Sequence, residues 1–362
     1  MAAMLENSMT ESISDISIAG AEITTIIPTF RRPSLLRRAI QSAVDQEEVN
    51  LRIEVLDNCS GDETGNVVAD LARDYNRVHY HCHSKNIGAQ ANFEFGVRRV
   101  ETPYFSILSD DDYLLPDFYR RALAGLAANP DAMFWVGMTL NVDERGTIWD
   151  ARLDRWPREG MFYPPEGVLT MTGGLAPTWT GIVFRKELLD LLGFIDPETL
   201  GPADLDYTLR LGARFPFLVE KHPSAVFSIN SDSFSATQPL SSFWPGWLKM
   251  FENMANLESL SASDRHKLLA ALHADAQRML FRRGVNALAN GRTDFAKDAS
   301  LALSESYSGY LRPWVLRSLS VGCEHIPGFF RVFRKLYAGL EKGIVNSRRE
   351  LQKSFGHLLR LE

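Results

Sequence analysis

The chain has 362 residues, 45% of them hydrophobic and 23% charged, which suffices for one large α/β domain plus a smaller appendage and is too apolar for broad disorder. Its net charge of −6 and isoelectric point near 5.8 exclude general nucleic-acid binding. The charge is uneven: residues 309–362 hold 10 Lys+Arg against 4 Asp+Glu, a net of +6 that leaves −12 on the remainder.

Cys59, Cys82 and Cys323 are odd in number and far apart, so neither a disulfide framework nor a zinc motif is indicated, and a reducing compartment fits. His79, His81 and His83 recur at every second residue, which strand alternation explains better than metal binding. No apolar run of about 18 residues occurs, so no transmembrane helix is expected. The first 20 residues lack the basic start and apolar core of a secretory signal and read as a flexible tail. The expected location is cytoplasmic, either free or peripheral on the inner face of the membrane.

In chain order, residues 23–28 (ITTIIP) form a β-branched run ended by proline, a buried strand. Ser34 is expected to cap the helix LLRRAIQSAV. Strands follow at 51–56, 78–83 and 104–108, with helices at 66–75 and 90–100 between them. This alternation predicts a parallel sheet with right-handed crossovers, and ligands bind such sheets at the carboxyl ends of the strands. Each strand there ends in polar residues. The pattern loosens over 117–235, with a strand at 133–140, a loop-rich stretch at 151–177, a short strand at 180–184 and helices at 185–192 and 204–211. From Phe243 onward the chain reads as helical, around 247–260, 262–289 and 294–304.

The strongest chemical signal is Ser109-Asp110-Asp111-Asp112 directly after a buried strand. Adjacent carboxylates repel and favour a neutralising cation. Mg²⁺ and Mn²⁺ prefer carboxylate and phosphate oxygens, and such an ion can bridge a diphosphate.

With these residues in place the chain resembles the family 2 glycosyltransferases of GT-A fold, through IIPTFRRPSLLRRAIQSAVDQ, VLDNCSGDET, SKNIGAQANFEFGV, YFSILSDDDYLLPDF, TWTGIVFRKELLDLLGFID and ADLDYTLRLG, in that order over roughly residues 22–235. The resemblance implies an α/β, Rossmann-like, mostly parallel sheet flanked by helices over 21–238, followed by a helical region over 239–362 with a basic amphipathic tail. It also implies transfer of a sugar from a UDP- or dTDP-sugar, with inversion, to a hydroxyl of a glycan or lipid-linked acceptor in polysaccharide or glycoconjugate assembly.

Residue by residue, the resemblance assigns Pro28, Thr29 and Arg31 to the loop that packs on the nucleotide. It assigns Asp57 to the acid that reads the base, since a carboxylate accepts the imide N–H of uracil or thymine. Asn86 and Gly88 match an N-x-G in which glycine permits close backbone approach; Lys85 lies beside them, toward the nucleotide or diphosphate. Asp110 matches the ribose-binding acid. Asp111 and Asp112 remain alternative ligands for Mn²⁺ or Mg²⁺, because Ser109 stands where relatives often carry an aspartate. Asp204 matches the general base that takes the acceptor hydroxyl proton. Ala203 replaces the usual neighbouring glutamate, and Asp206 is a fallback. Asn230 occupies the place of a histidine that completes the metal shell in many relatives, and an amide carbonyl can ligate a hard ion; His222, before Pro223, is a poorer candidate. Trp179 faces the acceptor and donor sugar, where indole surfaces suit sugar C–H faces.

In the tail, Phe329, Phe330, Phe333, Leu336, Tyr337, Leu340 and Ile344 recur at helical spacing among Arg331, Arg334, Lys335, Lys342, Arg348 and Arg349. That pattern suits either an anionic membrane surface or packing on the body or in a homodimer. Two rival readings stand beside the transferase: a degenerate nucleotide-sugar-binding scaffold, prompted by Ser109, Ala203 and Asn230, and a nucleotidyltransferase, for which PTFRRPS lacks the glycine- and lysine-rich phosphate loop.

Overall fold

A computed structural model describes residues 22–230 and 238–359. The expected tail over 1–20 and the stretch after Asn230 in the late loop lie outside these residues. β1 (Ile23–Thr29), β2 (Leu51–Asp57), β3 (Val78–Cys82) and β4 (Tyr104–Ile107) pair in parallel in the order β3-β2-β1-β4. The helices α1 (Pro33–Val44), α2 (Thr64–Asp74) and α3 (Ala89–Val97) connect them, as the alternation requires. β1 is buried along its whole length, consistent with a central strand covered on both faces. α1 begins one residue before the expected cap: Pro33 occupies its first turn, where the missing N–H costs nothing, and no side chain caps it.

Beyond β4 the sheet turns mixed. β9 (Ile182–Arg185) runs antiparallel between β4 and β6 (Phe134–Asp143), and β10 (Phe217–Ile229) pairs in parallel with β6 and antiparallel with β5 (Tyr113–Leu114) and β8 (Gly160–Phe162). β7 (Ile148–Ala151) forms a hairpin with β6. The sequence reading left β10 unassigned because Lys221, His222 and Pro223 interrupt its apolar run. In the structure the register with β6 shifts on both sides of Pro223, which places proline at an irregularity where its missing donor is tolerated. α4 (Phe118–Ala128), α5 (Glu166–Thr170), α6 (Glu187–Leu192) and α7 (Ala203–Gly212) complete the α/β part.

Six helices follow: α8 (Leu240–Ala255), α9 (Ala262–Ala289), α10 (Thr293–Ser306), α11 (Leu311–His325), α12 (Phe329–Ser347) and α13 (Arg349–Phe355). They do not form one separate core. Met250, Phe251 and Met254 of α8 and Leu268, Leu272 and Ala276 of α9 join the same apolar cluster as Phe134, Tyr207 and Phe217 of the sheet and α7. Later parts of α9 pack with α10 and α11 in a satellite cluster around Leu280, Phe295 and Leu316. α13 returns to the α/β part, where the Gln352 side chain accepts the Ile148 N–H at 3.0 Å and donates to the Gly146 carbonyl at 3.2 Å.

The seam between α8 and the loop before α7 is closed by glycine. A Cβ on Gly246 would stand 1.9 Å from the Leu200 carbonyl oxygen, a backbone atom that cannot move aside cheaply. Gly201, at φ +91°, lies against Phe243 in the same way. Asn253 of α8 donates to Asp196 at 2.9 Å and to Asp206 at 3.0 Å, binding the same loop and helix. Gly246→Ala is therefore expected to lower stability by about 2 kcal/mol or more through overpacking, read as a lower denaturant midpoint at unchanged m-value.

Candidate active site

The carboxyl ends of β1, β2 and β4 converge because the ladder continues past each strand: Asn58 N–H donates to the Thr29 carbonyl at 3.0 Å and Leu108 N–H to the Ile26 carbonyl at 3.0 Å. Pro28 and Thr29 are buried in β1, in register with Leu56 and Asp57. Asp110 is only 6% exposed and accepts the Thr29 hydroxyl at 2.8 Å. Its burial pushes its pKa up to about 6, against the opposing pull of Arg32 and Thr29.

The three aspartates have three different environments. Asp112 is 0% exposed; its Oδ1 accepts the Ser228 N–H at 2.8 Å and its other oxygen bonds the Thr180 hydroxyl. Burial, then the Asp111 charge, raises its pKa well above the ordinary range. Of the two aspartates left open as the main metal ligand, Asp112 is thus the buried one, with its oxygens engaged by Thr180 and β10. Asp111 is half-buried, and its Oδ2 accepts from Arg32 Nη1 at 2.9 Å and from Asn230 Nδ2 at 3.0 Å. Asn230 thus lies beside Asp111, with its amide nitrogen toward the carboxylate.

Arg31, expected to pack on the nucleotide, turns away. Its backbone sits in the left-handed region at φ +57°, and its N–H and Nε donate to Ser60 at 2.8 and 3.1 Å. The neighbouring Arg32 takes the position facing the acids, 3.2 Å from Asp110 and 2.9 Å from Asp111. Burial alone would lower the Arg32 pKa, but the two aspartates raise it. Arg38, one and a half turns along α1, donates to the Asp111 carbonyl at 2.7 Å and to the Ser228 hydroxyl at 3.1 Å. Neither Arg32 nor Arg38 stood out in the sequence. Their spacing in RRPSLLRR is compatible with one helix-start cluster, but only the left-handed turn at Arg31 decides which of the adjacent pair faces inward.

Asp57 is buried, with Oδ1 accepting the Ser60 N–H at 2.8 Å and Oδ2 the Tyr80 hydroxyl at 2.6 Å. Tyr80 carries no motif of its own in the sequence; it projects from the opposite face of β3 to the flanking histidines, and desolvation and Asp57 raise its pKa. Asn86 Oδ1 accepts from the Gly88 N–H at 2.8 Å and from Asn58 Nδ2 at 3.1 Å, and Gly88 adopts φ +88°, the conformation glycine supplies. Lys85 beside them is exposed.

On the other wall, Asp204 lies in the first turn of α7, where its carboxylate accepts the Leu205 N–H at 2.8 Å. It is open to solvent on one side but surrounded by protein otherwise. Desolvation raises its pKa, opposed by the Leu205 N–H and the Arg152 charge. Asp206 does not serve as a fallback: it is fully buried and bonded to Arg210 at 2.7 Å and to Asn253. The Trp179 indole N–H donates to the Asp204 carbonyl and to the Thr208 hydroxyl, each at 3.1 Å, and its ring packs among Phe93, Phe194 and Tyr207. Consecutive residues therefore tie the two walls: Thr180 holds the acidic loop and Trp179 holds the helix of Asp204.

Among the described residues, no group of three His, Cys, Asp or Glu is arranged to hold a metal by itself. The residue that would hold one is Asp111: Arg32 and Asn230 both donate to its Oδ2, which leaves Oδ1 for a hard cation such as Mg²⁺ or Mn²⁺ that takes most of its other oxygens from phosphate and water.

A parallel half-sheet with an acidic turn at its carboxyl edge, joined to a mixed half that delivers a second carboxylate, defines a GT-A glycosyltransferase fold. Residues 24–192 of the chain match the family model described as glycosyl transferase family 2. S. aureus TarS 1–349 in complex with UDP-GlcNAc shares the fold at TM-score 0.59 and 14% identity, over 88% of this chain and 92% of that one. The GalNAc(5)-diNAcBac-PP-undecaprenol beta-1,3-glucosyltransferase of Campylobacter jejuni is 35% identical over 95 residues, 26% of this chain and 31% of that protein. Abequosyltransferase RfbV of Salmonella typhimurium is 34% identical over 98 residues, 26% of this chain and 29% of that protein. The chain spans about a third of the length of these curated relatives.

Thr180→Val should leave one oxygen of the buried Asp112 without its donor. A loss of about 1–3 kcal/mol is expected in chemical unfolding, whereas Thr178→Val, whose hydroxyl is buried without a partner, should cost far less.

Proposed function

We propose that the protein transfers a sugar from a UDP- or dTDP-sugar to an acceptor hydroxyl with inversion, using Asp204 as the general base and the Asp110–Asp111 edge as the donor site. The observation that carries this reading is the Trp179–Thr180 tie, which joins the helix that bears Asp204 to the acidic turn. A carboxylate whose pKa is raised from its ordinary value is the stronger proton acceptor when ionised.

In this reading Asp57 and Tyr80 meet the base, whose imide N–H finds remaining lone pairs on the Asp57 carboxylate. Asp110, held by Thr29, takes a ribose hydroxyl. Arg32 swings from the aspartates to the diphosphate, and Arg38 keeps the loop in place meanwhile. Lys85 and the Gly88 turn border the nucleotide, and Trp179 positions α7 while offering its ring edge to a sugar. Asp111, with the Asn230 side-chain oxygen once the amide is turned, would hold Mn²⁺ or Mg²⁺. When bound, that ion neutralises charge developing on the leaving diphosphate. Asp204 then accepts the acceptor proton as the hydroxyl oxygen bonds the anomeric carbon and the diphosphate departs from the opposite face.

The acceptor is a glycan or a lipid-linked saccharide, the class named for the C. jejuni relative. A scaffold without turnover is the alternative, favoured by Ala203 and by the engagement of Asp112. The two readings separate on Asp204→Asn: the enzyme loses about 10²–10⁴-fold in kcat with UDP affinity unchanged by calorimetry, whereas a scaffold has no turnover to lose with any donor. Asp111→Asn should abolish the metal-dependent part of UDP binding. The rate should rise with pH through the Asp204 pKa, because the protonated carboxyl cannot accept a proton. Its acid limb should lie above the ordinary aspartate value of about 3.9 and vanish in Asp204→Asn.

A further inference from the structure

More than half of the exposed large apolar side chains among the described residues, nine of seventeen, lie between Tyr310 and Ile344, although that stretch is a small part of the chain. They are ordered rather than scattered. On α12, Phe333 packs against the satellite core and the Tyr337 hydroxyl donates to Asn286 at 3.2 Å, so one edge of the helix faces the body. The adjoining stripe Val332, Leu336 and Leu340, spaced by four residues, faces away, with Leu336 and Leu340 65% and 66% exposed. On the preceding α11, Leu311 and Trp314 form a second exposed apolar pair, Trp314 being 65% exposed.

Charge says what covers this face. Arg331 and Lys335 each precede a member of the apolar stripe by one residue, and Lys342 follows seven after Lys335. On a helix of 3.6 residues per turn the three line up about 100° from the stripe and flank it. All three are exposed, and Glu341 is the single acid of α12. Two copies joined through this stripe would set like charges side by side. An anionic lipid surface instead accepts the apolar stripe among its acyl chains and the cations among its headgroups, with tryptophan suited to the boundary between them. No helix among the described residues is long and apolar enough to cross a membrane, so the contact is one of surface binding.

We propose that α12, with the exposed end of α11, docks the protein on an anionic membrane surface. The helix is braced for this: α11 and the core hold it on one side, and α13 ties the following chain back to the β6–β7 hairpin. The proposal stands apart from the transfer reaction and from the choice of donor.

The test is co-sedimentation of the full-length protein with phosphatidylcholine vesicles, with and without phosphatidylglycerol, alongside light scattering for mass. Binding to the phosphatidylglycerol vesicles is expected, weakened by added salt and lowered about tenfold or more by Arg331→Gln/Lys335→Gln. Leu336→Glu/Leu340→Glu should abolish it without changing the melting transition, since both side chains are exposed. The milder Leu336→Gln/Leu340→Gln gives the same reading should the glutamates unfold α12. Absence of wild-type binding to anionic vesicles, binding that the leucine variants leave intact, or a dimer that those variants dissociate would each overturn the proposal.

Discussion

The cleft depends on one buried carboxylate. Asp112 has no contact with solvent and joins three segments that are distant in sequence: the turn after β4, Thr180 at the entry to β9, and Ser228 in β10. Burying a carboxyl group is tolerable only when its oxygens are engaged, and removing one partner leaves the cost of burial unrelieved. Because Asp112 faces inward, the turn projects Asp111 outward and holds Asp110 against β1. The adjacent Trp179 extends the same anchor to α7 and Asp204. An acidic run that looks like three equivalent ligands is thus one structural tie, one residue held in a polar pocket of β1, and one outward carboxylate.

The charges around that outward carboxylate offset the acidity of the turn. Arg32 and Asn230 both donate to Asp111, and Arg38 grips its backbone carbonyl. Three ionised carboxylates in a row would otherwise repel one another. With Arg32 across Asp110 and Asp111 the local charge is partly balanced, a bridge for which the planar set of guanidinium donors is suited.

The helical C-terminal region contributes to the same cleft from behind. α8 passes so close to Leu200 that only glycine fits at 246, and Asn253 spans Asp196 and Asp206. The helix carrying Asp204 is therefore set between Trp179 in front and α8 behind. Packing from two sides fixes the position of that helix and of the carboxylate in its first turn.

The sequence by itself determined the parallel half of the sheet, because β-branched runs alternating with amphipathic helices report local periodicity that no distant contact is needed to read. It also determined the helix 262–289. Tertiary structure alone decided the rest. Which aspartate faces the cleft depends on Thr180 and Ser228, residues 68 and 116 positions away. Which arginine faces the aspartates depends on a left-handed backbone at Arg31 that arginine does not advertise. Asp206, two residues from Asp204, is withdrawn by Arg210 and by Asn253 on another helix. β10 was hidden because its pairing with β6 tolerates a proline that its own sequence argues against. In each case the deciding term is the satisfaction of a buried polar group or the fit of a backbone by a partner remote in sequence, and neither leaves a periodic trace in the chain.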